Sequence, residues 1–243
     1  MFTSEMQAYL STLLLPSEQE WLQNAINSQG FVVAPRKIRR VVEEYPAHFP
    51  WAKQANGQKW TLDRLVRVWI VTQLAEEEVH RLFITAEMRE WVALVSALPW
   101  LNHPASWLLR ATDAVRSNIG DVLDAIAQHN PYPAAYFPEL AWNQLVLKVL
   151  FNDKPIQTIE GLTERQNPTL AQDILLLAQE RWAAGRELTP HAWRLVAPFP
   201  SDLALKMALA LLVRPKIEDQ KAAQLVLFSF GKTEKPDFTW DDL

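Results

Sequence analysis

The sequence predicts an all-α protein, an irregular α-α superhelix of antiparallel, HEAT-like helix pairs with about a dozen helices. Three observations carry this. Only 6 glycines occur in 243 residues, two-residue alternation of apolar and polar side chains is scarce, and apolar residues recur at spacings of three and four between proline, asparagine and glycine breaks. A single helical domain is expected over residues 1–230, followed by an acidic, loose tail at 231–243.

Residues 4 to 14 and 17 to 28 read as an opening helix pair, with Ser17 placed as an N-cap. Pro35 then opens a basic helix holding Arg36, Lys37, Arg39 and Arg40, a charge run of the kind that usually marks a solvated face. The stretch YPAHFPWAKQANGQKW reads as an ordered irregular loop. Thr61 is placed to cap LDRLVRVWIVTQL, which is apolar on most sides except at Arg64 and Arg67 and should therefore be central. AEEEVHRLF is an amphipathic helix. Thr85 is read as the cap of TAEMREWVALVSALPWL, with Met88, Trp91, Val92, Val95 and Leu98 as its buried stripe.

The densest stretch runs from Arg110 to Phe151. Leu108, Ala111, Val115, Ile119, Val122 and Ile126 share one side of a helix expected from about Pro104 to Gln128, opposite Asp113, Arg116 and Asp124. Asn118 falls at the edge of the apolar arc, so it is an inward amide in need of partners. Asn130-Pro131-Tyr132-Pro133 stops that helix, because the residue before proline avoids helical angles. A second helix starts near Pro138 with a core stripe of Trp142, Leu145, Val146, Val149 and Leu150. Asn143 projects into that stripe. Lys148 shares a narrower stripe with Gln144, either solvated or facing a cleft.

Pro155 to Gly161 reads as a short extended connector. Pro168 opens a helix burying Ala171, Ile174, Leu175, Ala178 and Trp182, with Arg181 as a third polar group directed inward and Gly185 at the C-cap. Thr189-Pro190 caps the next helix, and two amphipathic helices at 200–213 and 217–229 close the fold. In the tail, Phe238 and Trp240 are available to dock on the body or on a partner.

Composition narrows the function. With 49% hydrophobic residues, 21% charged and a net charge of -4, the chain reads as a soluble globular protein with no electrostatic case for nucleic acid. The lack of cysteine excludes disulfides, thiolate catalysis and cysteine-ligated metals, and fits the cytoplasm. The N-terminus resembles neither a signal peptide nor a membrane span. The 11 tryptophans serve either helix packing or an aromatic-lined pocket.

TAEMREWVALVSALPWL from Thr85, AVRSNIGDVLDAIAQHNPYPAAYFPELAWNQLVLKVLF from Ala114, IEGLTERQNPTLA from Ile159 and ERWAAGRELTPHAWRLVAPF from Glu180 together resemble the EboA family of bacterial proteins. The resemblance spans roughly residues 30 to 230 and is strongest from 85 to 199. It implies a part in handling or trafficking a metabolite, in gene clusters that also encode a prenyltransferase-like membrane protein and metal-dependent hydrolase-like enzymes. Such clusters lie near pigment biosynthesis, scytonemin included. By the same resemblance, the recurring polar and aromatic positions are Arg36, Arg116, Asn118, Tyr132, Trp142, Asn143, Lys148, Arg165, Asn167, Glu180, Arg181, Trp182 and Arg186. The chain departs from the family pattern at Ile119 and Leu145, where methionine is frequent, at Glu87, where aspartate is common, and at Thr163-Glu164, in place of an Asp-containing turn.

Catalytic signatures are missing. The histidines are scattered, HExxH, GxSxG and a phosphate-cradling glycine loop do not occur, and Glu77 with His80 forms a single E-x-x-H, read as a surface helix. No catalytic residue, metal or cofactor is assigned. The candidate ligand-binding set is Arg116, Asn118, Tyr132, Trp142, Asn143, Lys148, Arg165, Glu180, Arg181 and Arg186. Two accounts of it stand open. In one, the amides cap connectors such as NPYP and GLTERQN while Arg181 pairs with an acidic residue such as Asp124 or Glu139. In the other, the same groups line a pocket with Trp142, Trp182 and Tyr132 for a polar or acidic small molecule.

Three functions follow. The preferred one is a non-catalytic cytoplasmic protein that binds or escorts a metabolite or biosynthetic intermediate, contacted by Arg181, Asn143 and Lys148. The second is a helical scaffold for partner enzymes, proteins of the same gene cluster. The third is a metal-independent isomerase or lyase using Glu180, Lys148 or Tyr132 as acid and base.

Overall fold

The computed structural model describes residues 2–34, 38, 40 and 60–243. Most of the basic helix expected from Pro35, Arg36 included, and of the irregular loop from Tyr45 lies outside them. Among the described residues the chain is helical, with no β-strand. It divides into two compact units, Met1–Pro138 and Glu139–Leu243. No described helix is long and apolar enough to cross a membrane.

The first unit holds α1 (Phe2–Leu13), α2 (Pro16–Asn24), α3 (Ser28–Val33), α4 (Leu62–Val71), α5 (Glu76–Thr85), α6 (Met88–Ala97), α7 (Leu108–Arg116), α8 (Gly120–Ala127) and α9 (Tyr132–Tyr136). Every residue of α4 is buried, as its apolar circumference requires, and the helix packs on α6, which packs in turn on α8. Its two arginines are buried as well. Arg64 donates to Ser96 Oγ at 2.7 and 3.1 Å and lies 4.1 Å above the Trp60 ring. Arg67 donates to the carbonyl of Phe31 at 2.9 Å and faces Glu90 at 3.5 Å, while burial lowers its pKa. Each guanidinium thus meets the demand that a buried charge be paired or hydrogen-bonded.

Several boundaries differ from expectation. Pro16 opens α2, so Ser17 lies inside it, and the end is closed by Glu18 accepting from the Leu15 amide at 2.8 Å. Thr85 ends α5, and Glu87 caps α6 with Glu90 reaching back to the Glu87 amide at 3.0 Å. Met88, in the first turn, is 44% exposed and leaves the expected stripe. The helix expected from Pro104 to Gln128 is three pieces: a 3-10 turn at Pro104–Trp107, then α7, then α8. Ser117 leaves helical angles and its Oγ accepts from the Ile119 amide at 3.1 Å, a local bond that competes with the helical ladder. The break lets α7 fold back onto α8. Beyond α8, Asn130 Nδ2 donates to the Ala125 carbonyl at 2.9 Å and Asn130 Oδ1 accepts from the Tyr132 amide at 3.0 Å, so the amide of NPYP caps both sides of the connector.

The second unit holds α10 (Glu139–Phe151), α11 (Pro168–Ala183), a 3-10 segment Pro190–Leu195, α12 (Asp202–Leu212) and α13 (Ile217–Ser229). The whole predicted stripe of α10 is buried. The four-residue link 213–216 makes α12 and α13 a packed hairpin, and α10 packs on α11. Residues 152–165 form successive turns instead of the expected extended connector, because hydrogen bonds such as Ile159 N to Ile156 O fold them locally. Thr189 precedes a 3-10 segment and makes no side-chain cap.

Three helix ends in this unit share one device. At α11 and α13 the glycines Gly185 and Gly231 take positive φ, and the next amides return to the carbonyls of Arg181 and Leu227. At α10 the same turn is made by Asp153 at φ 55°, with Lys154 N on Val149 O at 3.0 Å. A non-glycine residue there is strained by about 1 kcal/mol.

Candidate functional site

The sequence-derived candidates divide between the units. In the first, Arg116 is exposed and pairs with Asp113 at 3.1 Å. Asn118 is exposed in the break between α7 and α8, so the helical angle that aimed it inward does not apply. Tyr132 is buried, donates to the Pro104 carbonyl at 2.5 Å, and has a pKa pushed up to about 12 by burial. It holds the loop that carries the 3-10 turn.

In the second unit Asn143 is buried and forms a reciprocal amide pair with Asn167, at 2.9 and 3.2 Å. Asn167 in turn caps α11 through the Leu170 amide at 2.8 Å. Asn143 thus holds the connector residue that caps α11. Trp142 is fully buried, and the Arg165 guanidinium lies 4.8 Å above its ring, with a pKa lowered by burial. Lys148 is half-buried, whereas Glu180 and Arg186 are exposed.

Arg181 is 6% exposed, as its position in the α11 stripe predicts. Its partner is an acidic residue, as expected, but Asp153 instead of Asp124 or Glu139. Nη2 pairs with Asp153, Nε donates to the Glu187 carbonyl at 2.6 Å, and Nη1 to the Phe151 carbonyl at 3.3 Å. The guanidinium therefore ties the end of α10 to the loop after α11.

Those two segments are walls of a cleft of about 380 Å³, completed by the start of α13. Leu150, Pro155, Leu188 and Pro190 supply apolar lining, and Asp153, Lys154, Glu187, Lys216 and Asp219 supply charge. The volume suits a small molecule. The charges are organised in pairs: Asp153 with Arg181, Glu187 with Lys216, and Asp219 with Arg214 at 3.2 Å. Lys216 holds the Glu187 carboxyl below its usual range. Burial raises the Asp219 carboxyl against the pull of Arg214. Arg214 also stands 4.6 Å over Trp182, which packs on Trp193 at 5.7 Å.

Asn143, Lys148 and Arg165 are not among the lining residues. The lining carboxylates and lysines escaped the sequence reading, although one signal was present. Asp219 precedes Ala222, Ala223 and Val226 at spacings of three, four and seven, which sets it on the buried face of α13.

Elsewhere the chemistry is sparse. Among the described residues no group of three His, Asp or Glu side chains is placed to hold a metal ion. The E-x-x-H pair lies on α5, which buries Val79 and Leu82; His80 stacks on Trp107 at 4.3 Å and Glu76 faces His103 at 2.7 Å.

Hydrogen-bonded helical hairpins around a paired-charge cleft, without a metal cluster among the described residues, define a class of all-α protein with a small-molecule-sized recess. The chain belongs to the EboA family: the family model described as metabolite traffic protein EboA matches residues 11–197. No curated protein and no solved structure matches it.

Proposed function

We propose that this chain is a non-catalytic cytoplasmic protein that binds or escorts a metabolite, and that the cleft of the second unit holds it. The observation that carries the reading is Asp153. Two of the three equivalent helix ends use glycine, and the third keeps a strained aspartate whose carboxylate both borders the cleft and anchors Arg181. Strain held in place by a buried arginine at a recess is what a preorganised binding wall requires. The family's description as a metabolite traffic protein supports the same reading. In it Arg181 is a positioning residue for the walls, Asn143 positions α11, and the contacts to ligand come from the cleft lining.

The test is native mass spectrometry of protein purified gently from its own host. A discrete added mass that is lost in Thr189→Trp, which fills the cleft, and kept in Arg116→Ala, in the other unit, is the expected result. Bare protein carrying a co-purified enzyme overturns the carrier reading in favour of a helical scaffold.

A further inference from the structure

The chemistry of the cleft narrows what it would carry. Asp219 is 3% exposed yet borders the recess. Its Oδ2 lies 3.2 Å from Arg214 Nε. A largely buried carboxylate at the edge of a recess is favourably met by a cationic donor. Toward solvent, Lys216 and Glu187 form an ion pair whose side chains are about half exposed. Such exposed pairs contribute little, so an incoming acid readily takes the place of Glu187 on Lys216. A purely anionic ligand would meet Asp153, Glu187 and Asp219, and a purely cationic one Lys154 and Lys216. Apolar wall from Leu188 and Pro190 completes the lining.

We infer that the cleft recognises a compact zwitterion with an apolar body, its ammonium on Asp219 and its carboxylate on Lys216; this rests on the carrier reading above. The body of such a ligand lies against Leu188 and Pro190.

The test compares three probes of one skeleton on the full chain, followed by amide NMR spectra: L-phenylalanine, phenethylamine and 3-phenylpropionate. L-Phenylalanine is expected to shift cleft amides and to bind at least about tenfold more tightly than either singly charged analogue. Lys216→Ala should weaken L-phenylalanine about tenfold and leave phenethylamine unchanged. Asp219→Asn should weaken both amines and spare 3-phenylpropionate. Lys216 is exposed, so its arm stands even where Asp219→Asn, by stranding Arg214, fails to fold. Equal affinities for the three probes in the cleft overturn the zwitterion and leave the carrier reading intact. Failure of L-phenylalanine to bind overturns the zwitterion too, and the co-purified mass then decides the carrier reading separately.

Discussion

Replacing Arg181 with alanine tests the central claim that this side chain holds the cleft walls. The guanidinium is 6% exposed and donates to two main-chain carbonyls. Hydrogen bonds from a charged donor contribute about 1.5–3 kcal/mol each; the bond to Glu187 at 2.6 Å belongs near the top of that range, and the one to Phe151 at 3.3 Å near the bottom. The Asp153 side chain is 74% exposed, so its ion pair is screened and adds at most about 1 kcal/mol. These are net contributions, so together they give a loss of about 3–5 kcal/mol. With a urea slope of about 2–3 kcal/mol/M, the midpoint falls by about 1–2 M. Urea unfolding followed by far-UV circular dichroism and tryptophan fluorescence measures it. Asp153→Gly is the control: it relieves backbone strain while losing a screened pair, and should move the midpoint by less than about 0.3 M. A midpoint for Arg181→Ala within that same margin would refute the reasoning, since the carbonyl bonds would then contribute nothing.

Three further predictions follow from buried contacts. Asn143→Ala and Asn167→Ala should each destabilise by about 1–3 kcal/mol, and the double variant by at least about 1 kcal/mol less than their sum; strict additivity in a double-mutant cycle would deny the amide pair. A Cβ at Gly30 would sit 1.9 Å from the Ala25 carbonyl oxygen, so Gly30→Ala should lower the melting temperature through a loss of about 1–3 kcal/mol, and an unchanged melting temperature would count against the tight α2–α3 corner. Tyr132 has its pKa raised to about 12 in the fold, above an unfolded value of about 10. Its contribution is therefore whole below the unfolded value and is lost as pH rises through the folded one. Stability measured across the alkaline range should fall in that window in the native protein, and Tyr132→Phe should abolish that part of the fall.

Helix identity was legible wherever the signal was local. The α10 stripe, the Pro168 start of α11, Gly185 at its end and the last two helices all rest on spacing or capping within a few residues. The break at Ser117–Ile119 was not legible. Val115, Ile119 and Val122 keep a helical rhythm across it, because a three-residue turn happens to preserve the phase of the apolar positions. The same accident misplaced Asn118, whose inward aim holds only on a continuous helix. Thr85 misled for a related reason: a capping residue type also fits the end of the preceding helix.

The sequence by itself determined an all-helical chain, its family, and the inward aim of Asn143 and Arg181, since each depends on periodicity or on contiguous motifs. Only the tertiary structure decided what those groups meet. Asn143 finds Asn167, and Arg181 finds the acid Asp153 and the Glu187 carbonyl. The cleft gathers segments around residues 150–157, 187–190 and 216–219. No local pattern links three such stretches; helix packing and left-handed helix ends bring them together, and those follow from the whole chain's burial of apolar surface.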